Sequence, residues 1–537
     1  MLTQNLVKTI EGAINSNWKL PSLTNYNGIS YTYSDVALRI LYLHKLFEKH
    51  DIKAGDKISL TGKNAAEWGI IYLAVITYGS IIVPLLPDFK PEDVINLVNH
   101  SDSLLLFSSS EQLKNVLPIE KMPKIKAIYS LEELHDFEKK VIEKKHEKIE
   151  SVSFPAIDNS KLAVISYTSG TTGFSKGVML AHNSLMANVL FGQDNMPLKP
   201  GNRIVSFLPM AHAYGCLFEF LFPFTLGCNI IFLTKTPSPQ IVMKAFDEIK
   251  PELILSVPLV IEKIYKQKLS PLLTQQKMKI LLSIPLFNML VFKKIKQKLS
   301  AFFGNNFREL IIGGAAFSKE AEGFFRKMKF PFTVGYGMTE CGPLISYASW
   351  KTAKLGSCGK PIDYIQVKID SEDPQKIPGE ILIKGENVML GYYKNKEATD
   401  EAIDKEGWLH SGDLGIVDKD NYVFIKGRSK SMILGPSGQN IYPEELENKI
   451  DSQVFVLEAL VVERESKLVA LVCPDPEYAK RAKLNDEAIL GLCNEYIKVL
   501  NREMPAYMNI SRAELHHAEF EKTPKKSIKR FLYTEKK

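Results

Sequence analysis

The sequence predicts an α/β fold: a large N-terminal part of wound sheets with a strand-rich subdomain, followed by a small α+β unit at the C-terminus. Three observations carry this. Short apolar runs alternate with helical stretches over most of the chain, the pattern of parallel strands joined by crossover helices. Beyond Pro378 the helices thin out and strand-like pieces follow one another. The 537 residues, 45% hydrophobic and 24% charged, are enough for about three or four cores without cross-links.

The elements follow in order. The opening MLTQNLVKTIEGAINSNWKL has neither the apolar core nor the cleavage site of a secretory leader. The six cysteines, at 216, 228, 341, 358, 473 and 493, show neither dithiol nor zinc spacing, so a reducing, cytoplasmic setting is expected. A polar–apolar helix over about 33–50 precedes the apolar runs KISLTG, IIYLAVI and SIIVPL. The run EKKVIEKKHEKIE (138–150) is nearly all charge and reads as a solvated helix or connector. From Lys161, the pieces LAVISY, GVMLA, NRIVSFL, NIIFL, ELILSV and ELIIGG read as strands of a large wound sheet. GEILIKG and NYVFIKG then lead to Gly427-Arg428-Ser429-Lys430, after which KLVALVCP and the helical KLNDEAILGLCNEYIKVLNREM form the small unit. The expected division is 1–427, a connection at 428–430, and 431–537.

The densest chemistry lies in Tyr167-Thr168-Ser169-Gly170-Thr171-Thr172-Gly173-Phe174-Ser175-Lys176-Gly177. Its glycines let backbone N–H groups approach an anion, its hydroxyls donate to phosphate oxygens, and Lys176 adds a point charge. It is not the common ATPase loop, because Ser175 stands where the second glycine belongs and Gly177 follows the lysine. Strand-like flanks on both sides predict a loop joining two strands rather than one opening a helix.

This loop resembles the YTSGTTGxPKG signature of the adenylate-forming superfamily of acyl-CoA synthetases, peptide-synthetase adenylation domains and luciferases, and the likeness runs from about Tyr31 to the C-terminus. Further motifs follow in the family's order. Leu208-Pro209-Met210-Ala211-His212-Ala213-Tyr214-Gly215 is similar to the segment lining the acyl pocket of fatty-acid members, which implies a pocket role for His212. Gly313-Gly314-Ala315-Ala316 resembles the turn packed against adenine. In Gly335-Tyr336-Gly337-Met338-Thr339-Glu340 the resemblance implies that Tyr336 stacks on adenine, Thr339 meets the α-phosphate and Glu340 holds Mg2+. Ser411-Gly412-Asp413 and Arg428 match the ribose site, and Lys430 falls on the hinge about which the mobile C-terminal domain turns. Catalytic roles are thereby implied for Thr171, Lys176, Glu340 and a tail lysine. Ligand contacts are implied for Thr168, Ser169, Gly170, Thr172, Gly173, Gly314, Ala315, Tyr336, Gly337, Thr339, Asp413 and Arg428.

The implied reaction consumes ATP to convert a fatty acid, of long chain by the closest likeness (PMAHAYG and GQNIYPEELE), to acyl-AMP, then passes the acyl group to coenzyme A. Three departures qualify it, the first being Ser175 where the family's signature has proline. Leu434 stands where some relatives carry a second lysine. In the tail KTPKKSIKR, alignment with the family's TPxxKIxR puts Ser527 at the adenylation lysine, leaving Lys526, ahead of Lys529, as the residue expected to reach phosphate. Transfer to acyl-carrier protein, or a catalytically weakened adenylate- or lipid-binding protein, are the alternatives. A hydrolase is disfavoured by the lack of a GxSxG elbow, and a protein-built metal site by the lack of a His/Cys cluster.

The net charge of +7 is too dilute to imply nucleic acid, but it is unevenly placed. Residues 275–303 hold six lysines and no acid around LLSIPLFNMLVF, and the tail 522–537 is as basic, leaving a slightly acidic remainder. The apolar run is too short to span a bilayer. It fits an amphipathic helix packed on the N-terminal domain somewhat better than its alternative, a helix lying on an anionic membrane.

Overall fold

The computed structural model describes residues 2–114, 119–132, 149–168, 176–235, 237–273, 275–434, 440–465, 467–523 and 528–534. Most of the charged 138–150 segment lies outside them.

Two seven-stranded sheets, not one, make up the large part. Sheet I runs in the order Phe332–Val334, Glu309–Ile312, Leu253–Ser256, Arg203–Ser206, Asn229–Phe232, Pro21–Asn25, Ser30–Thr32, and every neighbouring pair but the last is parallel. Sheet II runs Gly391–Tyr392, Lys176–Ala181, Leu162–Thr168, Ile81–Leu85, Lys57–Thr61, Ser103–Ser108, Ala127–Ser130, with antiparallel pairing confined to its first three strands. The expected strands all form.

The run IIYLAVI does not join them: it lies in the helix Ala66–Tyr78. That helix touches strands of both sheets and is buried all round, so it has no polar face to mark its period. Gly69 brings it within 3.0 Å of the Phe220 ring, measured from where a β-carbon would sit. The helix Tyr33–Lys49 begins as its sequence predicts, with Thr32 and Asp35 forming a reciprocal capping box.

Behind these layers, Ile365–Asp370, Gly379–Gly385, Leu409–Val417 and Val423–Arg428 form the antiparallel sheet III. Residues 441–513 have their own core, in which Leu446, Ile450, Ile489 and Leu500 pack on a three-stranded sheet, Val456–Arg464, Lys467–Pro474, Ile510–Leu515. The basic 275–303 segment is a hairpin of two helices, Gln276–Ser283 and Pro285–Phe302, broken where Pro285 opens the second. Among the described residues no helix is long and apolar enough to cross a membrane.

Candidate active site

Parallel strands deliver their following loops to one edge, and in wound sheets that carboxyl edge is where ligands sit. Sheet I sends four such loops there: 207–215 after Arg203–Ser206, 257 after Leu253–Ser256, 313–316 after Glu309–Ile312, and 335–340 after Phe332–Val334. They are tied together. The Tyr214 hydroxyl donates to the Ile311 carbonyl at 3.1 Å, and its ring lies 3.2 Å from where a Gly313 β-carbon would stand. Gly314 adopts φ +90°, with Val257 Cγ1 3.9 Å from where its β-carbon would stand, and Gly314 and Ala315 are exposed. A flat ligand therefore meets no side chain at Gly314.

Loop 207–215 is anchored from below by two buried polar side chains. Asn64 donates to Ser206 Oγ at 3.1 Å and to the Leu208 carbonyl at 2.7 Å, and accepts from the Met210 N–H at 3.0 Å. Glu219 Oε2 accepts from the Phe207 and Leu208 N–H groups at 2.9 and 3.0 Å. Glu219 sits in Cys216–Leu221, a π-helical stretch, and burial pushes its carboxyl well up. His212, half-buried, lies on this loop beside an apolar cavity of about 20 Å3 lined by Met210, Ala211, Ala213 and Cys216.

Loop 335–340 joins two groups. On one side Glu340 Oε1 accepts from the Tyr392 hydroxyl at 3.0 Å, and Lys176 Nζ lies 4.7 Å from the centre of the same ring. Burial and the Glu340 charge push the Tyr392 hydroxyl up, keeping it a donor. Sheet II makes this possible: Tyr392 pairs with Val178, and Thr168 with Lys176, so the two strands expected to flank the loop are present. On the other side the buried Tyr336 hydroxyl donates to Asp413 Oδ2 at 2.7 Å, and Arg428 Nε lies 3.1 Å from Asp413 Oδ1. Asp413 and Arg428 are register partners on adjacent strands of sheet III, so Ser411-Gly412-Asp413 is strand rather than free turn. Burial pushes the Asp413 carboxyl up, while Arg428 and the Tyr336 hydroxyl pull it back.

The structure thus brings together Thr168, Lys176, Gly337, Thr339 and Glu340 with Tyr336, Asp413 and Arg428, and sets Gly314, Ala315 and His212 on adjoining loops of the same edge. Lys430 follows exposed, two residues past Arg428. Ser169, Gly170, Thr171, Thr172, Gly173 and Lys526 lie outside the described residues. Sequence reasoning missed Tyr392, Asn64 and Glu219. Tyr392 sits in a plain Gly-Tyr-Tyr far from Lys176 along the chain, and only strand pairing reveals it. Glu219 carried a signal, a lone acid inside CLFEFLFPF.

Comparison with known proteins agrees with this geometry. Residues 15–393 match the AMP-binding enzyme family and residues 430–536 the AMP-binding enzyme C-terminal domain. The chain is 27% identical over 501 residues to a long-chain-fatty-acid–CoA ligase of Gallus gallus, a match covering 85% of this chain and 65% of that one, just under two thirds of its length. It is 26% identical to the long-chain-fatty-acid–CoA ligase FadD15 of Mycobacterium tuberculosis, covering 79% of this chain and 74% of that one. It is 29% identical to the peroxisomal long chain acyl-CoA synthetase 6 of Arabidopsis thaliana, covering 84% and 69%. The ATP-bound MatB structure from Rhodopseudomonas palustris superposes with a TM-score of 0.78 at 20% identity, covering 98% and 97% of the two chains, which establishes the shared fold. With the family match spanning well over half of its length, the chain belongs to the AMP-binding enzymes.

Proposed function

We propose that this protein activates a long-chain fatty acid with ATP and passes the acyl group to the thiol of coenzyme A. The observation that carries the reading is loop 335–340, whose two ends bring a cation and a carboxylate (Lys176, Glu340) and a carboxylate–guanidinium pair (Asp413, Arg428) to one sheet edge. The named relatives are ligases of fatty acids with coenzyme A, which favours coenzyme A over acyl-carrier protein.

In the first step a carboxylate oxygen bonds to the α-phosphorus, the α–β bridging P–O bond breaks, and pyrophosphate leaves, giving acyl-AMP. In the second the sulfur of coenzyme A bonds to the carbonyl carbon, the bond to AMP breaks, and the thiol proton passes to solvent. Asp413 accepts from the ribose hydroxyls and Arg428 donates beside it, while Tyr336, Gly314 and Ala315 border the base. Thr339 faces the α-phosphate. Thr168, Ser169, Gly170, Thr171, Thr172, Gly173 and Lys176 hold the leaving pyrophosphate. Glu340 keeps acceptor capacity beyond its bond to Tyr392, and one hard carboxylate suits a divalent cation otherwise bound by phosphate oxygens. Mg2+ held there would supply charge neutralisation at the departing phosphates. His212 borders the acyl side.

Lys529 Nζ pairs with Glu521 at 3.2 Å, which supports Lys526 as the tail lysine that reaches phosphate. Lys430 is the proposed hinge and 428–430 the connection between the two domains. The test is fatty-acid-dependent exchange of labelled pyrophosphate into ATP across chain lengths; exchange that no fatty acid stimulates sinks the reading. Lys526→Ala is expected to abolish exchange yet leave thioester formation from supplied acyl-AMP intact, and equal loss of both steps removes Lys526 from its role.

A further inference from the structure

The helical hairpin over 276–302 presents its tip to water in an unusual way. Ile280, Ile284, Phe287, Met289 and Leu290 are 58%, 42%, 46%, 62% and 53% exposed, a cluster of large apolar side chains within eleven residues. Further along Pro285–Phe302 the exposed positions change character and include Lys293, Lys294 and Lys298, with Gln297 and Ala301. The other side of this helix is not spare, since Phe292, Ile295 and Leu299 pack into the core over sheet I. Its base is therefore fixed while its tip projects.

Between the hairpin and the helix Lys319–Lys327 opens a groove of about 790 Å3. Leu282, Phe292 and Phe324 line it together with Lys293, Lys296, Lys327 and Lys329, and among the described residues no acidic side chain lines it. An acidic protein surface would match the lysines but not the tip. A bilayer matches both, and in the right order: from Leu290 to Lys294 is about 6 Å along a helix axis, within the depth to which amphipathic helices sink below phosphate.

We propose that this hairpin docks the protein on an anionic lipid bilayer, its apolar tip in the acyl boundary and its lysines on headgroup phosphates. The proposal needs nothing from the reaction proposed above. The test floats the intact protein with phosphatidylcholine vesicles made with and without phosphatidylglycerol. Flotation is expected only with phosphatidylglycerol and weakens with salt. The triple variant Phe287→Ser, Met289→Ser, Leu290→Ser should no longer float. Replacing Lys293, Lys294 and Lys298 by Ala should lower partitioning by about fivefold per lysine. Both variants should retain the parent's thermal transition. Flotation independent of phosphatidylglycerol, undiminished flotation of either variant, or no flotation of the parent overturns the proposal. A parent dimer that the serine variant dissociates, without vesicle binding, assigns the face to a second copy of the chain instead.

Discussion

At the scale of single residues, Asp413 and Arg428 separate function from stability. The Arg428 side chain is 66% exposed while that of Asp413 is 9% exposed, so their ion pair adds little to folding. Arg428→Ala should shift the thermal transition hardly at all, yet raise the KM for ATP by about ten- to a hundredfold, the worth of a charged hydrogen bond. Equal losses in stability and ATP affinity would speak against the ribose role. Glu219 behaves in the opposite way. Its folded pKa is raised above the unfolded carboxylate value of about 4.3, so the folded state holds a proton the unfolded state has lost, and stability falls as pH rises. Glu219→Gln still accepts from the Phe207 and Leu208 N–H groups but does not titrate. From the unfolded carboxylate value upward, until the folded carboxyl itself ionises, the parent should lose up to about 1.4 kcal/mol per pH unit through this one group, a slope missing in the variant. Thermal melts from mildly acidic to alkaline pH check it, and parallel curves would show that Glu219 is not the titrating group.

Elements explain what was legible in the sequence and what was not. The central strands of sheets I and II could be read from their apolar runs, and the phosphate-type loop from its donors, because those signals are local; Pro21–Asn25, Ser30–Thr32, Ser103–Ser108 and Ala127–Ser130 went unread. IIYLAVI looked like its strand neighbours because burial on every side erases the helical period. The join between Lys176 and Glu340 was unreadable, since it depends on Gly391–Tyr392 adding itself to the edge of sheet II, a pairing of two residues. Loop 335–340 is the element most sensitive to change. A β-carbon on Gly337 would stand 2.2 Å from the Pro343 carbonyl oxygen, so the backbone must move. Gly337→Ala should cost about 1–3 kcal/mol and displace Glu340 and Tyr336 together. Pyrophosphate exchange and a urea melt should fall in parallel, in contrast to Arg428→Ala.

For the whole molecule, the basic tail divides into a structural and a chemical part, which composition alone could not do. Arg530 forks onto Glu447 at 2.7 and 2.6 Å and donates to the Val461 carbonyl at 3.1 Å. Burial pushes the Glu447 carboxyl up, and Arg530 opposes it. Arg530→Ala strands that carboxylate and should cost the C-terminal unit about 3–5 kcal/mol, less in acid where Glu447 takes up a proton. Amide exchange should quicken in Val456–Arg464 and stay unchanged in sheet I; the reverse pattern would refute a local role. The threading of sheet I has a different kind of consequence. Its first two strands, Pro21–Asn25 and Ser30–Thr32, join the rest only through Asn229–Phe232, and the Thr24–Asn229 hydrogen bond closes a separation of 205 residues. On a ribosome adding about 5–20 residues per second, those strands emerge roughly 10–40 s before their partner exists. During that interval Pro21–Asn25 has no parallel partner to pair with.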